Sequence, residues 1–264
     1  MEIDILPKTE RAQTHMVFIV VPRFNIMTLI TMIETLRIAN YLAPASIYSW
    51  EVASFDGSKI IASNGMTATI KTANDNLQSA EFVFILGSWG TEHYHNKKLT
   101  AWLRKRVRAG ERICGVELGS YIVARAGLLD GKLATIHWSW LNGFKENFNR
   151  VEVEESLFTL DRKVMTCSGG LAGVDLMLRL IEEINGSSFS GEIADQMLHH
   201  PIRSATSPQR GTMGRSTETM RPLLREAMTL IENNIEEPLT VPQIANLLGV
   251  SQRQLERQFK KNVG

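Results

Sequence analysis

The chain has 264 residues, of which 44% are hydrophobic and 22% are charged, so it can build the core of one large or two modest domains. Its composition and its net charge of +1 exclude a disordered, strongly charged polypeptide, and they argue neither for nor against a nucleic-acid partner. Its two cysteines, Cys114 and Cys167, exclude a disulfide framework and are typical of a reducing cytoplasm. Without a signal peptide or an apolar run near the roughly 18 residues of a membrane span, we expect a cytoplasmic protein with no membrane partner.

The first half of the chain alternates short apolar segments with amphipathic ones. A continuous apolar run, typical of a buried parallel strand, covers residues 16–21, and further strands are predicted over 50–55 and 81–86. Apolar residues at helical spacing cover residues 27–40 and 97–109. This alternation predicts an α/β fold with a doubly wound, mostly parallel sheet.

A strand, a tight turn and a helix follow in the stretch GVELGSYIVARAGLLDGKLATIHW, residues 115–138. The strand covers residues 111–116, the turn is Glu117-Leu118-Gly119, and the helix begins at Ser120. This is the shape of a nucleophile elbow, which holds a reactive side chain at a helix N-terminus above the carboxyl edge of a sheet. In an enzyme that side chain would be Cys or Ser, whereas here it is Glu117.

The same stretch resembles the elbow of the class I glutamine amidotransferase-like, PfpI-type fold, and more narrowly the N-terminal sensor domain of AraC-family regulators. In that pattern a Cys-containing turn precedes a helix ending in AGLLDG, and a strand then ends in His-Trp. The resemblance covers nearly the whole chain and implies a flavodoxin-like, amidotransferase-like sensor domain. The nucleophile position falls on Glu117 and the position of the supporting acid on Thr28. We therefore expect no catalytic residue and no cysteine-dependent activity.

The second half predicts further elements and a change of domain. Strands are predicted over 133–136, 151–160 and 164–167, and helices over 139–147 and 171–184. Residues 201–217 are rich in Ser, Thr, Gly, Pro and Arg, which is typical of a linker. The predicted organisation is a sensor domain over 1–190, a final sensor helix and linker over 191–217, and a partial DNA-binding domain over 218–264.

The phrase LTVPQIANLLGVSQRQLERQF, residues 239–259, predicts a helix-turn-helix, with Pro242 at a helix start and Gly249 in the turn. It resembles the first of the two helix-turn-helix units in AraC/XylS-type domains. The second unit of that pattern is absent before Gly264, which leaves open that DNA binding is weakened or lost. The DNA-binding residues that the pattern implies are Ser251, Arg253, Glu256, Arg257 and Lys260.

A ligand site is predicted at the elbow, because ligands of open α/β sheets bind at the carboxyl ends of the strands. The Glu117 carboxylate and the rings of Trp89 and Trp138 suit a cation, and the backbone N–H groups of nearby residues suit an anion. In the alternative interpretation, Glu117 caps the helix and bonds His137, and Trp138 is a core residue. The predicted ligand-binding residues are Gly87, Ser88, Trp89, Glu117, Leu118, His137 and Trp138.

These features predict a homodimeric transcriptional regulator that binds a small amine or amino acid in an inactive amidotransferase-like domain and DNA through its C-terminal helices. The alternatives are a PfpI-type hydrolase or amidotransferase, and an effector-binding protein that has lost DNA binding. His93 and His95 have no third ligand at suitable spacing, so neither a metal nor a cofactor is predicted.

Overall fold

The structure is a computed structural model that describes residues 13–73, 77–210, 222–234 and 237–262. The chain divides into two compact units, residues 1–209 and 210–264. The strands of the first unit are β1 (Thr14–Val20), β2 (Tyr48–Ser54), β3 (Lys59–Ile61), β4 (Thr67–Thr69), β5 (Lys71–Thr72), β6 (Phe82–Gly87), β7 (Arg112–Glu117), β8 (Leu133–Ala134), β9 (Glu152–Val153), β10 (Phe158–Thr159) and β11 (Val164–Cys167). Its helices are α1 (Ile26–Leu42), α2 (Lys97–Arg108), α3 (Gly119–Arg125), α4 (Leu141–Asn147), α5 (Ala172–Asn185) and α6 (Ser187–Gln196).

The central sheet has the strand order β10-β11-β7-β6-β1-β2-β5. Its strands are parallel except that β10 is antiparallel to β11. This confirms the predicted α/β fold with a mostly parallel, doubly wound sheet. The carboxyl ends of β6, β7 and β11 lie side by side, so the residues that follow these three strands meet at one edge of the sheet.

The two faces of the sheet carry two separate cores. Alternate residues of β1 point to opposite faces, so Phe18 packs in one core and Ile19 in the other. Helices α1, α5 and α6 cover the first face, and helices α2, α3 and α4 cover the second. Because both faces are covered, the buried parts of β1 and β6 are continuous apolar runs, residues 16–20 and 82–86, as predicted.

Two predicted strands are shorter than expected, and part of each lies outside the central sheet. The strand predicted over 133–136 is reduced to β8, which pairs with β9 in a separate two-stranded sheet. The N–H of Thr135 donates to the Thr166 hydroxyl at 2.7 Å, and the Thr135 hydroxyl donates to the Ser156 carbonyl at 2.8 Å. These side-chain bonds replace a backbone ladder, and the strand predicted over 151–160 accordingly divides into β9 and β10.

Residues 201–209, predicted as linker, pack on the first unit instead. Arg203 forms an ion pair with the buried Asp175 of α5, and the Ala205 carbonyl accepts hydrogen bonds from the backbone beside β10. The linker prediction is therefore wrong for these residues. Residues 211–217 lie outside the described part of the chain.

The second unit contains α7 (Pro222–Asn233), α8 (Val241–Leu247) and α9 (Gln252–Asn262). The Thr240 N–H and hydroxyl donate to the Gln243 side-chain oxygen at 2.8 and 2.7 Å, which fixes the start of α8. Gly249 has a φ of 66° in the turn before α9, a conformation that favours glycine. No helix in the described segments is long and apolar enough to cross a membrane.

Candidate functional site

The turn between β7 and α3 is sharp, and Glu117 stands at its apex with a φ of 55°, in the left-handed region that few non-glycine residues adopt. The Leu118 N–H donates to the Gly87 carbonyl at 3.2 Å, which ties the turn to β6. Gly119 lies so close to β6 that a Cβ atom there would come within 1.8 Å of the Ile85 carbonyl oxygen. The elbow therefore requires glycine at 119 and holds backbone strain at 117, and such strain is common at functional positions.

The carboxylate of Glu117 is buried but only half satisfied. The Ser88 hydroxyl donates to Oε1 at 2.7 Å, whereas Oε2 has no hydrogen-bond partner among the described residues. Burial raises the pKa of Glu117, and the Ser88 hydroxyl and the Asn25 side chain oppose that rise. A buried acceptor without a partner costs roughly 1–3 kcal/mol, so the Glu117 carboxylate keeps the capacity to accept a further hydrogen bond or to face a cation.

Glu117 lies in the wall of an open cavity of about 390 Å³, within the size range of small-ligand pockets. The indole side chains of Trp89 and Trp138 also line it and remain 61% and 43% exposed, so Trp138 is not the core residue of the alternative interpretation. The remaining wall comes from loops at the sheet edge and includes Asn25, Ser88, His137, Gly169, Arg203 and Gln209.

His137 lines the same cavity and is half-buried. Its Nδ1 lies 2.8 Å from the Ser139 hydroxyl, and its ring centroid lies 5.5 Å from that of Trp138. Burial lowers the pKa of His137, which favours a neutral imidazole at neutral pH. The hydrogen-bond partner of the ring is thus Ser139, and not Glu117 as the alternative interpretation has it.

The second unit presents charged side chains on α9. Leu255 is buried in the small core of this unit, whereas the predicted DNA-contacting side chains lie on the exposed face of the helix. The Ser251 hydroxyl accepts a hydrogen bond from the Gln254 N–H at 3.3 Å, which caps the helix start. The exposed residues are Arg253, Glu256, Arg257 and Lys260.

Residues 16–183 match the family model described as the DJ-1/PfpI family. The chain belongs to the DJ-1/PfpI family. Two relatives that are more than 30% identical to the chain are transcriptional regulators. The HTH-type transcriptional regulator GbdR of Pseudomonas aeruginosa is 34% identical over 256 residues, covering 97% of this chain and 70% of the relative. The HTH-type transcriptional regulator CdhR of the same species is 33% identical over 243 residues, covering 92% of this chain and 72% of the relative.

The fold is also that of a solved regulator. The crystal structure of an AraC family transcriptional regulator from Pseudomonas putida superposes with a TM-score of 0.65 at 21% identity, covering 69% of this chain and 98% of that one. This likeness shows the fold, while the two relatives place the chain among HTH-type transcriptional regulators that carry a DJ-1/PfpI domain.

This DJ-1/PfpI domain departs from an enzyme at the two positions that the resemblance assigns to the nucleophile and its supporting acid. Glu117 occupies the first. Thr28 occupies the second, and its hydroxyl accepts a hydrogen bond from the Gly170 N–H at 2.9 Å. The nearby Cys114 is fully buried in β7, and burial raises the pKa of its thiol well above the usual value, so it is not a reactive thiolate.

Five of the seven predicted ligand-binding residues line the cavity, and two do not. Gly87 packs against Thr91, whose Oγ1 would lie 2.6 Å from a Cβ atom at that position. The Leu118 side chain is buried in the core, and its N–H is already bonded to the Gly87 carbonyl. The prediction of Leu118 as a ligand donor is therefore wrong, because the turn uses that N–H to hold its own geometry.

Several cavity residues were missed from the sequence. Gly169 follows β11, and a Cβ atom there would lie 2.7 Å from the Cβ of Glu117. The run Ser168-Gly169-Gly170 was a usable signal, because a glycine-rich turn after a strand beside β7 must reach the same sheet edge. Arg203 and Gln209 gave no signal, since their stretch has the composition of a linker.

Proposed function

We propose that this DJ-1/PfpI-family regulator senses a small organic cation, an amine or an amino acid, in the Glu117 cavity and that the ligand controls DNA binding by the second unit. The observation that carries the proposal is the buried Glu117 Oε2, which has no hydrogen-bond partner in the described chain and belongs to a residue lining a cavity of about 390 Å³. The regulator class of the relatives supports the second half of the proposal.

The charges around the cavity favour a cation. Glu117 supplies a carboxylate, and the partly exposed indoles of Trp89 and Trp138 supply aromatic faces of the kind that bind quaternary ammonium groups. His137 does not oppose a cation, because its lowered pKa keeps the ring neutral. Arg203 also lines the cavity, but its charge is compensated by the paired carboxylate of Asp175 at 2.6 Å.

The raised pKa of Glu117 adds a dependence on pH. A cation stabilises the ionised carboxylate, so it competes with the proton that burial favours. The affinity for the cation should therefore increase as the pH rises through the folded-state pKa of Glu117, and it should level off above that pKa.

We propose that the domain performs no amide hydrolysis or amidotransfer. A carboxylate at position 117 is a poor nucleophile for amides, and Cys114 is buried with a raised pKa. Glutaminase and peptidase assays of the full chain test this. Turnover that disappears in Cys114→Ser would favour the hydrolase alternative instead.

Calorimetry on the full chain tests the cation site with a matched pair of probes. Choline carries a quaternary ammonium group, and 3,3-dimethylbutan-1-ol is its neutral isostere. Choline should bind the parent and lose roughly tenfold to hundredfold in affinity in Glu117→Gln, since its quaternary ammonium attracts the carboxylate by charge, and two unit charges about 4 Å apart near a protein surface interact with about 1–4 kcal/mol. The neutral alcohol should not distinguish the two proteins.

The control variant is Glu152→Gln, because Glu152 is an exposed glutamate of the same unit that does not line the cavity. Choline should bind it as tightly as it binds the parent. Equal choline affinity in Glu117→Gln and in the parent would mean that Glu117 has only a structural role and does not bind the cation. A thermal-shift screen of amines and amino acids then ranks the natural candidates.

We also propose that the regulator acts as a homodimer. Operators of helix-turn-helix proteins commonly contain two half-sites, which a two-fold symmetric dimer matches. Light scattering of the full chain at tens of micromolar, roughly the range in which a weak dimer forms, checks this. A monomeric mass at that concentration would contradict it.

A further inference from the structure

Residues 199–209, which we call the strap, cross the edge of the first unit and supply two residues, Arg203 and Gln209, to the wall of the cavity. We propose that the strap is a movable wall of the effector cavity. Gln209, which we call the latch, holds the strap in place and transmits ligand binding in the cavity to the residues that lead to the second unit. This inference rests on the proposed function, because it assigns the regulation of the same cavity.

The first end of the strap is held by a buried charge. Asp175 of α5 is fully buried and accepts hydrogen bonds from the Arg203 N–H at 2.8 Å and from the Arg203 guanidinium at 2.6 and 3.0 Å. His199 Nε2 lies 2.9 Å from the same carboxylate. Charge-assisted bonds to a buried carboxylate are strong, so this end is the fixed end of the strap.

The middle of the strap is held by backbone hydrogen bonds and by the packing of Ala205 against the first core. The Ala205 carbonyl accepts hydrogen bonds from the Leu157 N–H at 2.8 Å and from the Phe158 N–H at 3.5 Å, beside the antiparallel edge strand β10. These two amide groups therefore report whether the strap is seated on the unit. Their acceptor, Ala205, is separated from Gln209 by three residues of the strap.

The far end is held by one neutral side chain. Gln209 Nε2 donates to the Ile136 carbonyl at 2.8 Å, to the Ser156 carbonyl at 2.9 Å and to the Thr135 hydroxyl at 3.1 Å. Gln209 Oε1 accepts from the Trp138 N–H at 2.7 Å. All four partners are neutral, so these bonds are weaker than those at Asp175 and this end is the one that can open.

The latch and the ligand act at the same place. The backbone N–H of Trp138 donates to the Gln209 side-chain oxygen, and both residues line the cavity. A ligand that contacts this wall binds the seated strap better than the open one, so binding shifts the equilibrium towards the seated state. Gln209 is the last residue of the first unit, and seating it therefore restrains the start of the chain that leads to the helix-turn-helix.

Hydrogen exchange on the full chain without ligand tests the latch. In Gln209→Ala the Leu157 and Phe158 amides should exchange at least about tenfold faster than in the parent, as expected for a local opening that becomes more favourable. The more conservative Gln209→Asn, which keeps the amide but shortens its reach, should do the same. Thr206→Ala changes an exposed strap residue that does not line the cavity and should leave these rates unchanged.

The amides of β6 serve as the reference for global unfolding and should exchange at the parent rate in all three variants. Unchanged exchange at Leu157 and Phe158 in Gln209→Ala would overturn the latch. Faster exchange across β6 as well would also overturn it, because Gln209 would then stabilise the whole unit.

A second measurement adds choline and tests the coupling. In the parent, exchange at Leu157 and Phe158 should slow by about tenfold when choline is at ten times its dissociation constant, if only the seated state binds. Choline that binds by calorimetry without slowing these amides would overturn the coupling and leave the proposed function intact. If choline does not bind, the cation site fails and the coupling fails with it, while the variants without ligand still decide the latch.

Discussion

The elbow of the first unit and the helix-turn-helix of the second place their functional side chains in opposite ways. The position of the Glu117 side chain is set by its backbone and its close neighbours. Its φ is strained, Gly119 packs against β6, and Gly169 packs against the Glu117 side chain. Arg253 and Arg257 are fixed only by their positions on the exposed face of α9.

The two units differ in whether a substitution can change a functional side chain without also changing the stability of the unit. At the elbow the residues that hold the backbone also hold the carboxylate, so a substitution changes both. On α9 the core residue Leu255 and the exposed arginines occupy different faces of one helix, so each can be changed without the other. Substitutions in the two units test this contrast.

Gly119→Ala should have the largest effect. Its Cβ would lie 1.8 Å from the Ile85 carbonyl oxygen, so the elbow must move, and we expect a loss of at least about 3 kcal/mol in the free energy of unfolding. The control is Gly143→Ala in α4, where the nearest atom is the Tyr121 hydroxyl oxygen at 3.6 Å. That change should stabilise the unit by about 0.5–1 kcal/mol, because alanine favours a helix. Denaturant unfolding measures both, and equal effects would contradict the close packing.

Leu255→Ala should destabilise the second unit by about 2–4 kcal/mol. Leu255 is 2% exposed and packs in a small core with Ala227, Ile244 and Ala245. We expect a separate unfolding transition of the second unit to move to lower temperature in calorimetry, while that of the first unit stays in place. Leu247→Ala, at a residue that is 62% exposed, is the matched control and should leave both transitions unchanged. A shift of both transitions in Leu255→Ala would show that the units do not fold separately.

Arg253→Ala and Arg257→Ala should weaken DNA binding without lowering stability. Each arginine can contact guanine or phosphate from the exposed face of α9, and a base contact of this kind contributes about 1–3 kcal/mol. Arg162→Ala removes the same charge at an exposed position of the first unit and should not change the affinity. Fluorescence anisotropy with a selected operator at fixed salt provides the measurement. Loss of affinity in all three variants would indicate a non-specific charge effect.

The sequence predicted the elbow well because its signals are local. The apolar run before Glu117 and the glycines at 119 and 127 mark a strand, a turn and a helix within one short stretch. The parallel arrangement of the strands followed less directly, from the rule that alternating strands and helices form a parallel sheet. Both kinds of signal depend on neighbours in the chain or on general rules of packing.

The cavity wall could not be predicted in the same way. Arg203 reaches it through a bond to Asp175, 28 residues away, and Gln209 through a bond to Thr135, 74 residues away. Neither residue type nor spacing distinguishes these positions from a linker. Likewise, Leu118 carries an N–H that looks available in the sequence, but the turn uses it to bond Gly87.

Glu117→Gln should change stability less than Gly119→Ala or Leu255→Ala does, and its effect should depend on pH. Burial raises the folded-state pKa of Glu117 above its ordinary value of 4.5, so between these two pKa values the folded chain binds more protons than the unfolded chain. The free energy of unfolding must therefore fall as the pH rises through this window. Each unit of pKa shift corresponds to about 1.4 kcal/mol.

The glutamine variant removes this titration and keeps the volume and the acceptor for the Ser88 hydroxyl. We expect Glu117→Gln to be more stable than the parent above the folded-state pKa and to approach it at pH values below about 4.5. Urea unfolding at a series of pH values measures the difference, with Glu152→Gln as the exposed control. A variant less stable than the parent at pH 8 would mean that the Glu117 carboxylate is already paired in the free protein. The cation would then have no unpaired carboxylate to meet, and the elbow would hold Glu117 for its own structure.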